Sequence, residues 1–268
     1  MQFSFARRFA SLVMLAFIGM GTASHAQQAN DRFAAEAFLM AGSFCPGGHN
    51  GYTFAARGQL LPIHNDSYTQ LYAKLGIAYG GDGRTLFALP VLDAEHRHLL
   101  GLGVYANAPV WCINVYGADV SQASASSTRA ANLILALPDS ISECPAGYNL
   151  RNDIELRRFQ EVDPWGTWKL PIRWCEATSN TGSDNYAQYT GELILVNGST
   201  CPSGFQKADG SEGSIVSISS NQSLFALIGP NYGGNGREHF AVPDMYEIFE
   251  GVPGTVWCIN MSGLYPSR

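Results

Sequence analysis

Six cysteines alternate between two sequence contexts, and this alternation constrains the fold more than any other feature of the chain. Cys45, Cys144 and Cys201 each precede a proline and follow an apolar run, respectively Ala37-Phe38-Leu39-Met40, Leu133-Ile134-Leu135-Ala136-Leu137 and Leu193-Ile194-Leu195-Val196. Cys112, Cys175 and Cys258 instead each follow a tryptophan, Trp111, Trp174 and Trp257. An opening strand with Cys-Pro and a closing strand with Trp-Cys thus recur three times, and a repeat has to be read before any local assignment. The simplest disulfide map pairs Cys45 with Cys112, Cys144 with Cys175 and Cys201 with Cys258. Six cysteines permit other maps, and this one rests on repeat symmetry. Each bridge would join the first strand of a unit to its last, adding about 2–4 kcal/mol to a unit whose own core is small.

The first 26 residues read as a signal peptide: Arg7 and Arg8 supply positive charge, Phe9 to Met20 is apolar, and Ser24-His25-Ala26 has the small-x-small cleavage pattern. That apolar core falls short of the roughly 20 residues of a spanning helix, and no later stretch reaches it. A mature chain starting near Gln27 is therefore expected to be secreted, to the extracellular space or cell surface, where cysteines oxidise. No Cys-x2-Cys spacing suggests a metal. Charged residues make up only 14% of the chain and there are 29 glycines, a composition of many turns joining short strands. A net charge of −6 without a basic stripe argues against a nucleic-acid partner.

The repeat divides the chain into a first unit at 27–118, a Ser/Ala linker at 119–130, a truncated middle unit at 131–180 and a last unit at 186–268, with a second hinge at 180–185. A longer block is shared only by the outer units: Tyr79-Gly80-Gly81-Asp82-Gly83-Arg84 through Phe87 to Pro90, and Tyr232-Gly233-Gly234-Asn235-Gly236-Arg237 through Phe240 to Asp244. Ahead of each block, Ser67–Gly76 and Asn221–Gly229 carry apolar residues at three- and four-residue spacing and end in glycine, which predicts a short helix with a glycine stop. The three tryptophans are expected in the core, packed against the disulfides.

The glycine block lacks the Lys-Ser/Thr of a phosphate loop and does not link a parallel strand to a long helix, so it reads as a tight turn with positive φ followed by an apolar plug, Phe87 or Phe240. Arg84 and Arg237 follow that turn and could brace loop carbonyls or bind a carboxylate or sugar. Asp82 becomes Asn235 in the other copy, a poor basis for calcium. His96-Arg97-His98 has no counterpart in the last unit, and no catalytic constellation is present; neither a catalytic residue nor a cofactor is expected. Trp165 and Trp168, in the middle unit, are open to a sugar-stacking, assembly or core role.

These blocks resemble the phage tail collar domain family, which includes bacterial microcystin-dependent proteins. The resemblance is carried by Ala41-Gly42-Ser43-Phe44-Cys45-Pro46, Gly58-Gln59-Leu60-Leu61-Pro62-Ile63 and Tyr79 to Pro90 in the first unit. In the last it is carried by Gly191-Glu192-Leu193-Ile194, Ser223 to Gly229, Tyr232 to Asp244 and the terminus Ile259 to Arg268. Unlike family members, the first unit has Val91-Leu92-Asp93 where Asp-Leu is expected after Pro90. The resemblance implies two full copies of a small β-rich module used for attachment or scaffolding; the cysteines and the truncated related unit between the copies depart from the family's usual arrangement, and a mostly β fold with short helices, in repeated disulfide-stabilised collar-like modules, is expected. A secreted structural subunit is expected, self-associating into an extracellular or cell-surface filament through strand pairing by the polar arm Gln27–Arg32 and the strand that continues to Phe44. The alternative is a monomeric adhesin that contacts a surface glycan through Trp165, Trp168 and Arg84.

Overall fold

A computed structural model describes residues 32–47, 53–92, 109–122, 130–154, 170–178, 187, 189–249 and 252–267. The signal segment, the arm ahead of Arg32, the hinge at 180–185, Trp165, Trp168, His49, His96 and His98 lie outside these residues. In chain order the first unit supplies β1 (Ala37–Met40), β2 (Thr53–Ala55), β3 (Leu60–Pro62), α1 (Thr69–Leu75), β4 (Leu86–Ala88) and β5 (Val110–Asn114). The middle unit supplies β6 (Leu133–Pro138), β7 (Tyr148–Leu150) and β8 (Ile172–Ala177). The last supplies β9 (Glu192–Asn197), β10 (Phe205–Lys207), β11 (Ile215–Ser217), α2 (Gln222–Ile228), β12 (His239–Ala241), α3 (Met245–Ile248) and β13 (Thr255–Asn260).

Each unit is a three-stranded antiparallel sheet with its Trp-Cys strand in the middle: β2-β5-β1, β7-β8-β6 and β10-β13-β9. The register is the same in all three, since Leu39 faces Trp111, Ala136 faces Trp174 and Leu195 faces Trp257. The three opening strands then close on one another. The start of β1 meets the end of β6 (Ala37 with Ala136), the start of β6 meets the end of β9 (Leu133 with Val196, Ile134 with Leu195), and the start of β9 meets the end of β1 (Glu192 with Met40, Leu193 with Leu39). Counted from the residues that face tryptophan, all three junctions use equivalent positions. The fold is therefore a pseudo-threefold ring, and its opening strands are buried at nearly every position because each is covered on both faces.

The residue that turns the chain into each opening strand has positive φ in every unit: Ala35 at 67°, Asn132 at 65° and Gly191 at 80°. Glycine and asparagine adopt this left-handed region readily, so Ala35 is the residue that the repeat holds there against its local preference.

Disulfides join Cys45 to Cys112, Cys144 to Cys175 and Cys201 to Cys258, with Cα separations of 5.6, 5.7 and 5.7 Å. The tryptophans are buried in the core as expected, but in the first unit Trp111 lies apart from the bridge. Trp and Cys are neighbours on a strand, so their side chains leave on opposite faces. In the first unit the two fall in separate apolar clusters, Cys45 and Cys112 with Phe38, Met40 and Val110, and Trp111 in the main core. The indoles turn toward the middle of the ring, where Trp111 meets Trp174 edge-on at 6.4 Å and Phe249 stacks on Trp257 at 5.9 Å.

The strand expected to continue the joining arm is enclosed within the ring. β1 carries β5 along one edge and β9 and β6 along the other, so it has no edge to offer a neighbour. Arg32, read as part of a polar arm, is 3% exposed.

Candidate functional site

The two glycine blocks form near-identical structures. Each begins after a seven-residue helix stopped by glycine, Gly76 at φ 54° and Gly229 at φ 57°. A two-stranded sheet frames each helix, β3 before α1 pairing with β4 after it and β11 before α2 pairing with β12, and the glycine turn lies along the outer edge of the second strand, bridging Gly81 to Phe87 and Gly234 to Phe240. The plug is confirmed in both. Phe87 and Phe240 are fully buried, against Tyr72 and Phe225 at the same ring separation of 5.3 Å.

Gly234 shows why the turn needs glycine: its φ is 87°, and a Cβ there would sit 2.5 Å from Phe240 Cα and 2.6 Å from the His239 carbonyl oxygen. Both obstacles are backbone and cannot swing aside. Gly234→Ala is expected to cost more than about 2 kcal/mol, read as a lower denaturation midpoint.

The first turn is held from within by Asp82, whose carboxylate accepts from the backbone N–H groups of Arg84, Thr85 and Leu86 at 2.9, 2.7 and 2.8 Å and from the Thr85 hydroxyl. Asn235 Oδ1 does the same for Arg237, Glu238 and His239 at 3.0, 2.9 and 2.9 Å. The Thr85 hydroxyl and these N–H groups hold the Asp82 carboxyl well below the usual carboxylate range. Because its folded value lies below the unfolded one, the Asp82 contribution is complete above about pH 4 and declines as pH falls toward the folded value. Asn235 does not titrate. Acid is therefore expected to lower the amide-exchange protection factors, taken relative to the intrinsic rate at each pH, at Thr85 and Leu86 but not at Glu238 and His239, and Asp82→Asn is expected to abolish the difference.

Arg84 and Arg237 stand exposed beside these turns, with the guanidinium groups on the outside of the modules. His64 and His239 are exposed as well. Among the described residues no group of three His, Cys, Asp or Glu side chains could hold a metal ion. Val91 has a structural consequence. It occupies the place of Asp244, whose side chain accepts from Tyr246 N at 2.9 Å and caps α3; valine offers no such acceptor.

Each collar-like block reaches across to another unit of the ring. The Tyr79 hydroxyl donates to Asp139 Oδ1 at 2.6 Å and accepts from Ser140 N at 3.1 Å, both just beyond β6. Burial, together with the bond to Asp139, pushes the Tyr79 phenol up to about 12. The equivalent Tyr232 hydroxyl donates to the Ala41 carbonyl at 2.6 Å, just beyond β1.

A buried ionic cluster, not anticipated from sequence, ties the first unit to the last. Arg32 donates to Glu36 Oε1 at 3.0 Å and to Glu192 Oε1 at 2.5 Å, and its guanidinium carbon lies 3.9 Å from the centre of the Phe38 ring. The second oxygens of Glu36 and Glu192 accept from Phe33 N and Tyr189 N, three residues before each. Burial opposes the charge of Arg32, but Glu192 and Glu36 outweigh it and its pKa lies above the ordinary value. Glu36 and Glu192 occupy the same repeat position, where the middle unit has Leu133. Asn114 and Asn260 are a second missed pair, donating to the carbonyls of Phe33 and Tyr189 at 3.1 and 3.0 Å. The sequence signal was present in both cases, as an acid before two opening runs and an asparagine after two closing ones.

A family model for the phage tail collar domain matches residues 35–95 and 191–249. No curated protein and no solved structure matches the chain. The matched segments coincide with the two units that carry a glycine turn, a phenylalanine plug and a tyrosine reaching across the ring. These segments are two copies of the phage tail collar domain, a structural module, set in one ring with a third unit that keeps the strands and disulfide.

Proposed function

We propose that the protein is an exported structural subunit that self-associates, into an extracellular or cell-surface filament. The pair of tail collar domains carries this reading, since the domain is a structural, fibre-type module. Three disulfides are compatible with an extracellular location, and among the described residues no helix is long and apolar enough to cross a membrane. Because β1 is enclosed by its own chain, strand pairing between copies would have to use residues ahead of Arg32 or the exchange of β1 itself. Negative-stain electron microscopy of the protein released from its native cells without denaturant tests the proposal. Regular filaments that carry the protein are the expected result, and dispersed single particles in undisturbed material would overturn it.

A further inference from the structure

The last unit has an open surface pocket of about 340 Å³. Its one wall is the run Ser219 to Ser223, which includes Asn221 and Gln222; the other is formed by Thr190 and the turn Met261-Ser262-Gly263. No side chain in this lining carries a charge. The second wall is fixed by a reciprocal pair of bonds: Thr190 Oγ1 donates to the Gly263 carbonyl at 3.0 Å and accepts from Gly263 N at 2.9 Å. On the first wall Asn221 Nδ2 donates to the Ser217 carbonyl at 3.0 Å, which holds that side chain in place.

The repeat supplies a control. Aligning the glycine-stopped helices and the Trp-Cys strands puts Tyr68 where the last unit has Asn221, and Tyr116 where it has Ser262. Both tyrosines are half-buried against the core, and Tyr68 packs edge-on to Phe54 at 5.6 Å. The first unit thus places tyrosine rings at two positions where the last unit lines the pocket with an amide and a hydroxyl. Packing alone would favour the filled version, because two rings there bury apolar surface.

We propose that this cavity binds a neutral, hydroxyl-rich ligand, a hexopyranose unit of a glycan. Its volume lies at the lower end of the ligand-pocket range, about 300–1,000 Å³. Hydroxyl and amide groups both donate and accept, as sugar hydroxyls do, and the lack of charged groups gives no advantage to a carboxylate, phosphate or ammonium ligand. This site is independent of the filament reading and uses neither Arg84 nor the tryptophans of the middle unit.

Saturation-transfer difference NMR on the mature protein tests it, with the methyl α-pyranosides of mannose, glucose and galactose as probes. Saturation is expected to reach at least one glycoside. The variant Asn221→Tyr/Ser262→Tyr, which installs the residues of the first unit, is expected to reduce the transfer by about tenfold through steric exclusion. Should that variant not fold, the single Ser262→Tyr serves the same comparison. Transfer to none of the three glycosides, or equal transfer from wild type and filled variant, would overturn the proposal.

Discussion

Replacing Arg32 with alanine is expected to destabilise the protein by about 3–5 kcal/mol, because it removes the guanidinium held between two buried carboxylates. Glu36 and Glu192 are 2% and 1% exposed, so water cannot readily replace the lost guanidinium. The double variant Glu36→Leu/Glu192→Leu retains Arg32 and is expected to be similarly damaging, since it strands the cation instead. The triple variant with Arg32→Leu, Glu36→Leu and Glu192→Leu should recover much of the loss, because the middle unit already holds Leu133 at this position and stays buried there at 2% exposure. Denaturant midpoints of the four proteins provide the measurement. Equal midpoints for wild type and Arg32→Ala would show that the cluster contributes nothing to stability.

The second large effect concerns the bridges. Replacing both cysteines of one disulfide with alanine is expected to cost about 2–5 kcal/mol, and the three bridges should not be equal. The half-cystines are 67, 57 and 31 residues apart for Cys45–Cys112, Cys201–Cys258 and Cys144–Cys175. Loop-closure entropy alone separates the longest from the shortest by about 0.7 kcal/mol. The first bridge also anchors the small cluster of Phe38, Met40 and Val110, which lies apart from the main core. Thermal melts should therefore rank loss of Cys45–Cys112 as most severe and loss of Cys144–Cys175 as mildest. The reverse order would mean that native-state packing around the bridges outweighs their effect on the unfolded chain.

Local features were the legible part of this fold. Cysteine context gave the units, the glycine-ended apolar stretches gave α1 and α2, and the glycine block gave the turn and its plug. Each of these depends on residues close together in the chain. The ring did not show itself, because Ala37–Met40, Leu133–Pro138 and Glu192–Asn197 are nearly continuous apolar runs. Such a run indicates burial on both faces and says nothing of which strands lie alongside. The inward turn of Trp111 follows from strand alternation, since Trp and Cys are adjacent on the strand. Arg32 was illegible for another reason. It follows polar residues, which reads as a solvated arm, and its partner Glu192 is 160 positions away. The cavity beside Asn221 was equally hidden, because it exists only between segments that are far apart in the sequence.

The antiparallel junctions explain how one third of the molecule can differ so much from the others. Three strands cannot all run antiparallel to one another side by side, so in this ring each touches its neighbours by its ends only, through one or two residue pairs. The segments between the second and third strand of a unit supply no strand to these junctions, so they differ in length from unit to unit while the junctions keep equivalent positions. The architecture behaves as a socket with three outlets, two fitted with tail collar inserts and one with a shorter segment. Inheritance can rewrite what an outlet presents to the outside while the socket keeps its shape, which is the separation a scaffold needs if it is to acquire new surfaces without losing its fold.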